Sequence, residues 1–105
     1  MAWIKVGTVE ERPQGSRKVV DIDPDLSVAV FHVNGEWYAI ENRCSHDDGP
    51  LVEGDMVDRY VVECPRHGAR FDIRTGDVLR MPAFEPIQAF EVKVEGSDVL
   101  VNIDV

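Results

Sequence analysis

Short apolar runs separated by turn residues recur along most of the chain, and this pattern predicts strands. Residues 19–23 form a short β-rich run, and two longer runs, 27–33 and 36–40, are separated by Asn34-Gly35. Asn-Gly between two such runs is typical of a two-residue hairpin, because a type I′ turn needs a positive φ at both central residues. The sequence therefore predicts a β-hairpin over residues 27–40.

The second half of the chain continues in the same way, with a further hairpin turn at residues 74–77. Apolar Phe90, Val92 and Val94 alternate with charged residues, which predicts that one face of their strand is buried. No stretch has a convincing helical period, and several short strands at this spacing predict an all-β protein, an antiparallel sandwich or small barrel. The predicted strands of this half are residues 57–63, 71–73, 78–80, 89–94 and 99–103.

Length and composition agree with a small globular protein. A chain of 105 residues is long enough for one compact domain and too short for two. No apolar run approaches the roughly 20 residues that span a bilayer, and the first residues lack the apolar core of a signal peptide. We therefore expect one domain over residues 1–105, in the cytoplasm and with no membrane partner.

The charge balance is strongly acidic. Twenty Asp and Glu against eleven Lys and Arg give a net charge of −9. An anionic surface repels nucleic acid and attracts basic protein partners. We therefore expect no nucleic-acid partner, and we consider the acidic run after residue 46 a docking candidate. That run is Asp47, Asp48, Glu53, Asp55 and Asp58.

Two stretches that do not look like strands carry one cysteine and one histidine each. The first contains Cys44-x-His46 and the second Cys64-x-x-His67, with seventeen residues between His46 and Cys64. Both lie where a predicted strand gives way to a loop with Gly and Pro. Two such loops side by side on a rigid sheet would bring four soft or borderline metal ligands together.

The ligand types leave alternatives open. A disulfide between the two cysteines is disfavoured in a chain without a secretory signal. A structural zinc site is compatible with two Cys and two His, although zinc fingers usually pair like with like. A mixed pair in each loop suits a dinuclear centre, in which one iron takes both cysteines and the other both histidines. The third histidine, His32, lies in a predicted strand without a partner motif, and we interpret it as a strand residue.

From about Val28 to the C-terminus, the sequence resembles the Rieske-type ferredoxins. It is similar in particular to the small soluble ferredoxins that serve bacterial ring-hydroxylating dioxygenases. The shared pattern consists of Cys44-x-His46, Gly49-Pro50-Leu51, Gly54, Cys64-Pro65-x-His67-Gly68-x-x-Phe71-Asp72 and Thr75-Gly76.

The resemblance implies one 2Fe–2S cluster. Cys44 and Cys64 would bind its inner iron, and His46 and His67 its outer, more exposed iron. The implied Rieske fold is an antiparallel β-sandwich or small barrel with a cluster-binding loop subdomain, about residues 41–84, at one tip. In such proteins a proline-containing loop covers the cluster, and the matching residues here are Met81 and Pro82.

The implied function is that of a soluble one-electron carrier rather than an enzyme. It would take electrons from a flavin-dependent NAD(P)H reductase, pass them to a terminal oxygenase and act as a monomer. Two other functions remain open at this point: the small subunit of a nitrite-reductase-like complex, and a zinc-stabilised structural module.

The resemblance also implies a reduction potential near the bottom of the roughly −150 to +300 mV range of Rieske centres. High-potential members carry an extra cysteine in each cluster loop, where this chain has Gly49 and Arg66. They also carry Ser and Tyr after the second histidine, where this chain has Ala69 and Phe71, neither of which can donate a side-chain hydrogen bond.

Overall fold

A computed structural model describes residues 3–10, 15–45, 49–66, 68–81 and 85–103. Within these ranges it contains eleven strands and no helix. The described residues therefore include no helix that is long and apolar enough to cross a membrane. The strands are β1 (Trp3–Thr8), β2 (Arg17–Asp23), β3 (Leu26–Val33), β4 (Glu36–Glu41), β5 (Asp55–Asp58), β6 (Val61–Glu63), β7 (Arg70–Asp72), β8 (Val78–Arg80), β9 (Ala89–Phe90), β10 (Val92–Glu95) and β11 (Asp98–Asn102).

The strands form three antiparallel sheets, which confirms the predicted all-β class. Their orders are β1-β11-β10, β2-β3-β4-β9 and β5-β6-β7-β8. Two buried clusters hold the sheets together. The first joins Phe31 and Ile40 of the second sheet to Phe71 of the third, and it also contains Cys44 and Cys64. The second cluster, which includes Val99 and Val101, lies between the first and second sheets.

The hairpin predicted over residues 27–40 is confirmed. Asn34 and Gly35 have φ values of 56° and 81°, as a type I′ turn requires. Strands β3 and β4 pair in register, and His32 faces Trp37. The two rings stack with centroids 4.0 Å apart, so His32 is a strand residue, as we interpreted it.

The single strand predicted over residues 57–63 is wrong. The chain turns at residues 59–60 and forms the hairpin β5–β6. Asp58 Oδ1 accepts the N–H of Arg59 at 2.7 Å and thereby favours the turn. The Tyr60 ring then packs edge-on against Tyr38, with ring centroids 5.6 Å apart. A side chain that sequence pattern placed in mid-strand instead packs against a neighbouring sheet from a turn.

The strand predicted over residues 89–94 is divided between two sheets. β9 pairs with β4 and β10 pairs with β11, and Glu91 lies between them. The predicted burial holds for Phe90, which is 7% exposed, but fails for Val94, which is 43% exposed. Strand β1, which we did not predict, completes the sheet along β11.

Candidate metal centre

The first cysteine begins a loop that closes on itself through the backbone. The N–H of Cys44 donates to the carbonyl of Gly49 at 2.7 Å. Just ahead of the loop, Asn42 Oδ1 accepts the N–H groups of Leu51 and Val52, both at 2.8 Å. The Cys44 side chain is fully buried. The start and the end of this loop are therefore fixed to each other.

The second cysteine begins a loop of the same kind, between β6 and β7. The N–H of Cys64 donates to the carbonyl of Ala69 at 2.7 Å, and the N–H of Gly68 donates back to the Cys64 carbonyl at 3.1 Å. Gly68 has a φ of 78°, a left-handed conformation that favours glycine. Cys64 is 1% exposed. In both loops the cysteine N–H is thus bound by the carbonyl of the fifth residue after it.

Close backbone packing brings the two loops together. A Cβ added to Gly54, where the chain leaves the first loop, would lie 2.0 Å from the carbonyl oxygen of Glu63, the residue before Cys64. Only glycine allows this approach. On the other side, Arg17 of β2 donates through Nη1 to the carbonyls of Val52 and Gly54. Sequence reasoning missed the part played by Arg17, because this contact spans more than thirty residues of the chain.

The structure places the four predicted ligands unequally. Cys44 and Cys64 lie in one buried cluster and no disulfide joins them, so the alternative of a disulfide is wrong. His46 and His67 lie outside the described residues, as do Asp47, Asp48 and Pro82. In the described part of the chain, no group of three or more His, Cys, Asp and Glu could hold a metal ion.

The surroundings of the second cysteine are apolar inside and charged outside. Ala69 and Phe71 are fully buried. On the outer side, Glu63 pairs with Arg70 at 2.9 Å and with Arg80 at 3.8 Å, and these three residues lie in register across β6, β7 and β8. The site therefore has a dry side towards the core and a polar side towards solvent.

Two pKa shifts lie in the third sheet and its contact with β4. The Arg74 guanidinium donates to the Asp72 carboxylate at 2.9 Å and lowers the pKa of that carboxyl. Burial, followed by the hydrogen bond to Glu36, raises the pKa of Tyr38 to about 12.

The described part of the site fits an iron–sulfur group. Thiolates are soft ligands that suit iron–sulfur clusters, and here two cysteines that form no disulfide lie in one core cluster. Each thiol begins a backbone-closed loop, so the two loops form a fixed cradle.

Comparison with known proteins identifies the family. The model of the Rieske [2Fe-2S] domain matches residues 2–91. The chain belongs to this family. The match begins well before Val28, where the resemblance in sequence became visible, and a Rieske domain carries one 2Fe–2S cluster.

Similar proteins are ferredoxins of dioxygenase systems. The chain is 39% identical over 103 residues to the 3-phenylpropionate/cinnamic acid dioxygenase ferredoxin subunit of Photorhabdus laumondii subsp. laumondii, covering 98% of this chain and 96% of that protein. The counterpart in Shigella boydii serotype 4 is 41% identical over 95 residues, which cover 90% and 88% of the two chains. Together with the family, these relatives show a Rieske ferredoxin, an electron carrier that is not itself the catalyst.

Solved structures agree with the fold. The ferredoxin of carbazole 1,9a-dioxygenase from Nocardioides aromaticivorans IC177 superimposes with a TM-score of 0.87 at 33% identity, over 96% of this chain and 97% of that one. A nitrite reductase small subunit from Mycobacterium tuberculosis has a TM-score of 0.84, over 99% and 97% of the two chains. At 19% identity, that second likeness shows the fold alone.

Proposed function

We propose that Cys44, His46, Cys64 and His67 hold the 2Fe–2S cluster, with the cysteines on the inner iron and the histidines on the outer one. The observation that carries this proposal is the shared geometry of the two cysteine loops. Each begins with a buried cysteine whose backbone N–H donates to the carbonyl five residues later. The histidine of each motif belongs to the same closed loop as its cysteine.

The bound cluster supplies one-electron redox chemistry, and the chain determines where it takes place. Burial of Cys44 and Cys64 excludes water from the cysteine side. The polar side, with Arg70 and Arg80, faces solvent and partners. We assign the two histidines to this polar side, so an electron would enter and leave there.

The partners follow from the proteins that this chain resembles. Its relatives are ferredoxin subunits of 3-phenylpropionate/cinnamic acid dioxygenases. A structural neighbour is a complex of reduced oxygenase and oxidised ferredoxin in carbazole 1,9a-dioxygenase, with a TM-score of 0.87 at 34% identity. We infer that this chain, as a cytoplasmic monomer, passes electrons from a flavin-dependent NAD(P)H reductase to an aromatic-ring-hydroxylating terminal oxygenase. Residues 1–105 would form one domain, with the cluster-binding part at about residues 41–84.

Variants of the three histidines test the ligand assignment. His46→Ala and His67→Ala should each abolish the visible bands of a Rieske cluster and lower the iron content. His32→Ala should leave both unchanged, because His32 stacks on Trp37 in the sheet. A cluster retained in both His46→Ala and His67→Ala would overturn the assignment. A colourless wild-type protein with one zinc would support the structural zinc site instead.

Reconstitution tests the place in the electron chain. The ferredoxin is combined with a flavin-dependent NAD(P)H reductase and an aromatic-ring-hydroxylating oxygenase, and NAD(P)H oxidation is followed together with hydroxylated product. Product should require all three proteins, and Cys64→Ser should abolish it. Equal product without the ferredoxin would contradict the proposal.

A further inference from the structure

A side-chain hydrogen bond joins the first cysteine loop to a distant segment of the chain. The Ser45 hydroxyl, directly after Cys44, donates to the carbonyl of Glu85 at 2.5 Å, across forty positions of sequence. Glu85 begins the described segment 85–88, which leads into β9. Ser45 lies between Cys44 and His46, which we propose as ligands. Its hydroxyl is attached to Cβ and therefore stays close to its own backbone. The bond therefore fixes the backbone between those ligands.

The far end of this segment is firmly anchored. Ile87 is buried, and its N–H donates to the carbonyl of Gly76 at 2.9 Å. A Cβ on Gly76 would lie 1.9 Å from the Ile87 carbonyl oxygen, so the two backbones are in direct contact. At Gln88, the N–H donates to Glu41 Oε1 at 2.7 Å, and the carbonyl accepts the N–H of Glu41 at 2.9 Å.

The near end of the segment, at Glu85, is held by the side chain of Ser45. Residue 86 is proline, which has no N–H to donate. The bond from Ser45 thus ties Glu85 to the cysteine loop, while Ile87 and Gln88 hold the rest of the segment to the third and second sheets. Segment 85–88 is therefore fixed to the sheets at its far end and bound to the first cysteine loop at its near end.

We propose that Ser45 is a positioning residue: its hydroxyl holds the Cys44–Ser45 peptide against the anchored segment 85–88 and so keeps the Cys44 thiol in place as a ligand of the cluster. This inference rests on the proposed function, because it presumes that Cys44 is a ligand. Without the bond, the Cys44–Ser45 peptide would be held less firmly. Cys44 would then release iron to solvent more readily, and its geometry as a ligand would change.

Two substitutions at Ser45 isolate the hydroxyl. Ser45→Ala removes the donor, and Ser45→Thr keeps it. A net hydrogen bond of ordinary strength predicts that Ser45→Ala loses iron about two- to tenfold faster than wild type. The reduced protein is mixed with a ferrous chelator, and the decay of the visible bands gives the rate. Ser27→Ala is the matched control, since it removes a surface hydroxyl that donates to Asp21 at 3.0 Å.

A spectroscopic signature separates positioning from a purely structural contribution. The electron paramagnetic resonance g-values of the reduced cluster should shift in Ser45→Ala and return to wild type in Ser45→Thr. Wild-type iron loss and g-values in Ser45→Ala would overturn the proposal, as would a Ser45→Thr protein that behaves like Ser45→Ala. A wild-type protein without a cluster would instead overturn the proposed function, so the two failures are distinct.

Discussion

Ala69 and Phe71, two fully buried residues beside the second cysteine, carry no side-chain donor. Reduction adds negative charge to the cluster, so donors that are absent here would have stabilised the reduced form. Ala69→Ser and Phe71→Tyr should therefore each raise the reduction potential, by tens of millivolts up to about 100 mV. Protein-film voltammetry at about pH 7 measures the shift.

The second core cluster supplies matched controls for these two changes. Ala39→Ser and Phe90→Tyr add the same hydroxyls to buried positions between the first and second sheets. They should leave the potential unchanged. Equal shifts in both pairs, or a wild-type potential above about +100 mV, would show that missing donors do not set the potential.

Tyr38 is the residue whose titration we expect to affect stability. Burial and the hydrogen bond to Glu36 raise its pKa to about 12, against about 10 for an unfolded chain. The folded state binds this proton more tightly, so its contribution to the free energy of unfolding is complete below pH 10 and falls as the pH rises from about 10 to 12. Urea unfolding of wild type and Tyr38→Phe at about pH 8, 10 and 11 should show their difference shrinking. A constant difference would contradict the raised pKa.

At the scale of strands and turns, glycines fix the approach of one backbone to another. Gly76 and Gly96 both have positive φ values, 81° and 61°, but a Cβ would collide with the Ile87 carbonyl only at Gly76. Gly76→Ala should therefore lower the free energy of unfolding by about 1–3 kcal/mol more than Gly96→Ala. Chemical unfolding of the two holo-proteins provides the comparison. Equal losses would mean that φ alone determines the cost.

Local signals made part of the fold predictable. Asn34-Gly35 determined a hairpin, because a two-residue turn fixes the register of its strands. The prediction of one strand over residues 57–63 was wrong, because β-forming residues continue through the turn at residues 59–60. Likewise, alternation through residues 89–94 contains no sign that the chain changes sheets at Glu91.

For the candidate site, the ligand motifs could be predicted from the sequence, but the contacts that bring them together could not. The motif around Cys44 and the motif around Cys64 are local, so the ligand types could be inferred from the sequence alone. The two loops come close together because Gly54 packs against Glu63. This is a contact between backbones, so no side-chain pattern in the sequence predicts it. The bond from Ser45 to Glu85 was equally invisible, because its acceptor is a main-chain carbonyl.

For the whole molecule, net charge and local charge differ. The chain carries −9 overall, and Glu53, Asp55 and Asp58 are exposed beyond the first cysteine loop. Near the second loop, Arg66 is exposed, and Arg70 and Arg80 share Glu63. The surface beyond the first cysteine loop is therefore acidic, and the surface near the second loop is rich in arginine.

We expect the acidic surface to dominate docking to the reductase. The rate of reduction should fall as salt rises from about 0.05 to about 0.5 M, because screening weakens attraction to a basic partner. Glu53→Gln should lower the rate at low salt, while Glu95→Gln, at the exposed end of β10, should not. Stopped-flow reduction measures both. Rates that are flat with salt would assign docking to apolar contacts, with Leu79 and Met81, 53% and 68% exposed, as the candidates.

Two histidines and two cysteines should share one cluster, and the histidine content of the chain allows a direct test. The chain has three histidines, so His32→Ala leaves only His46 and His67. This variant is produced with ¹⁵N-histidine, reduced, and examined by electron–nuclear double resonance. Two distinct ¹⁵N couplings to the cluster are expected. A reduced cluster that shows one such coupling, or none, would contradict this expectation.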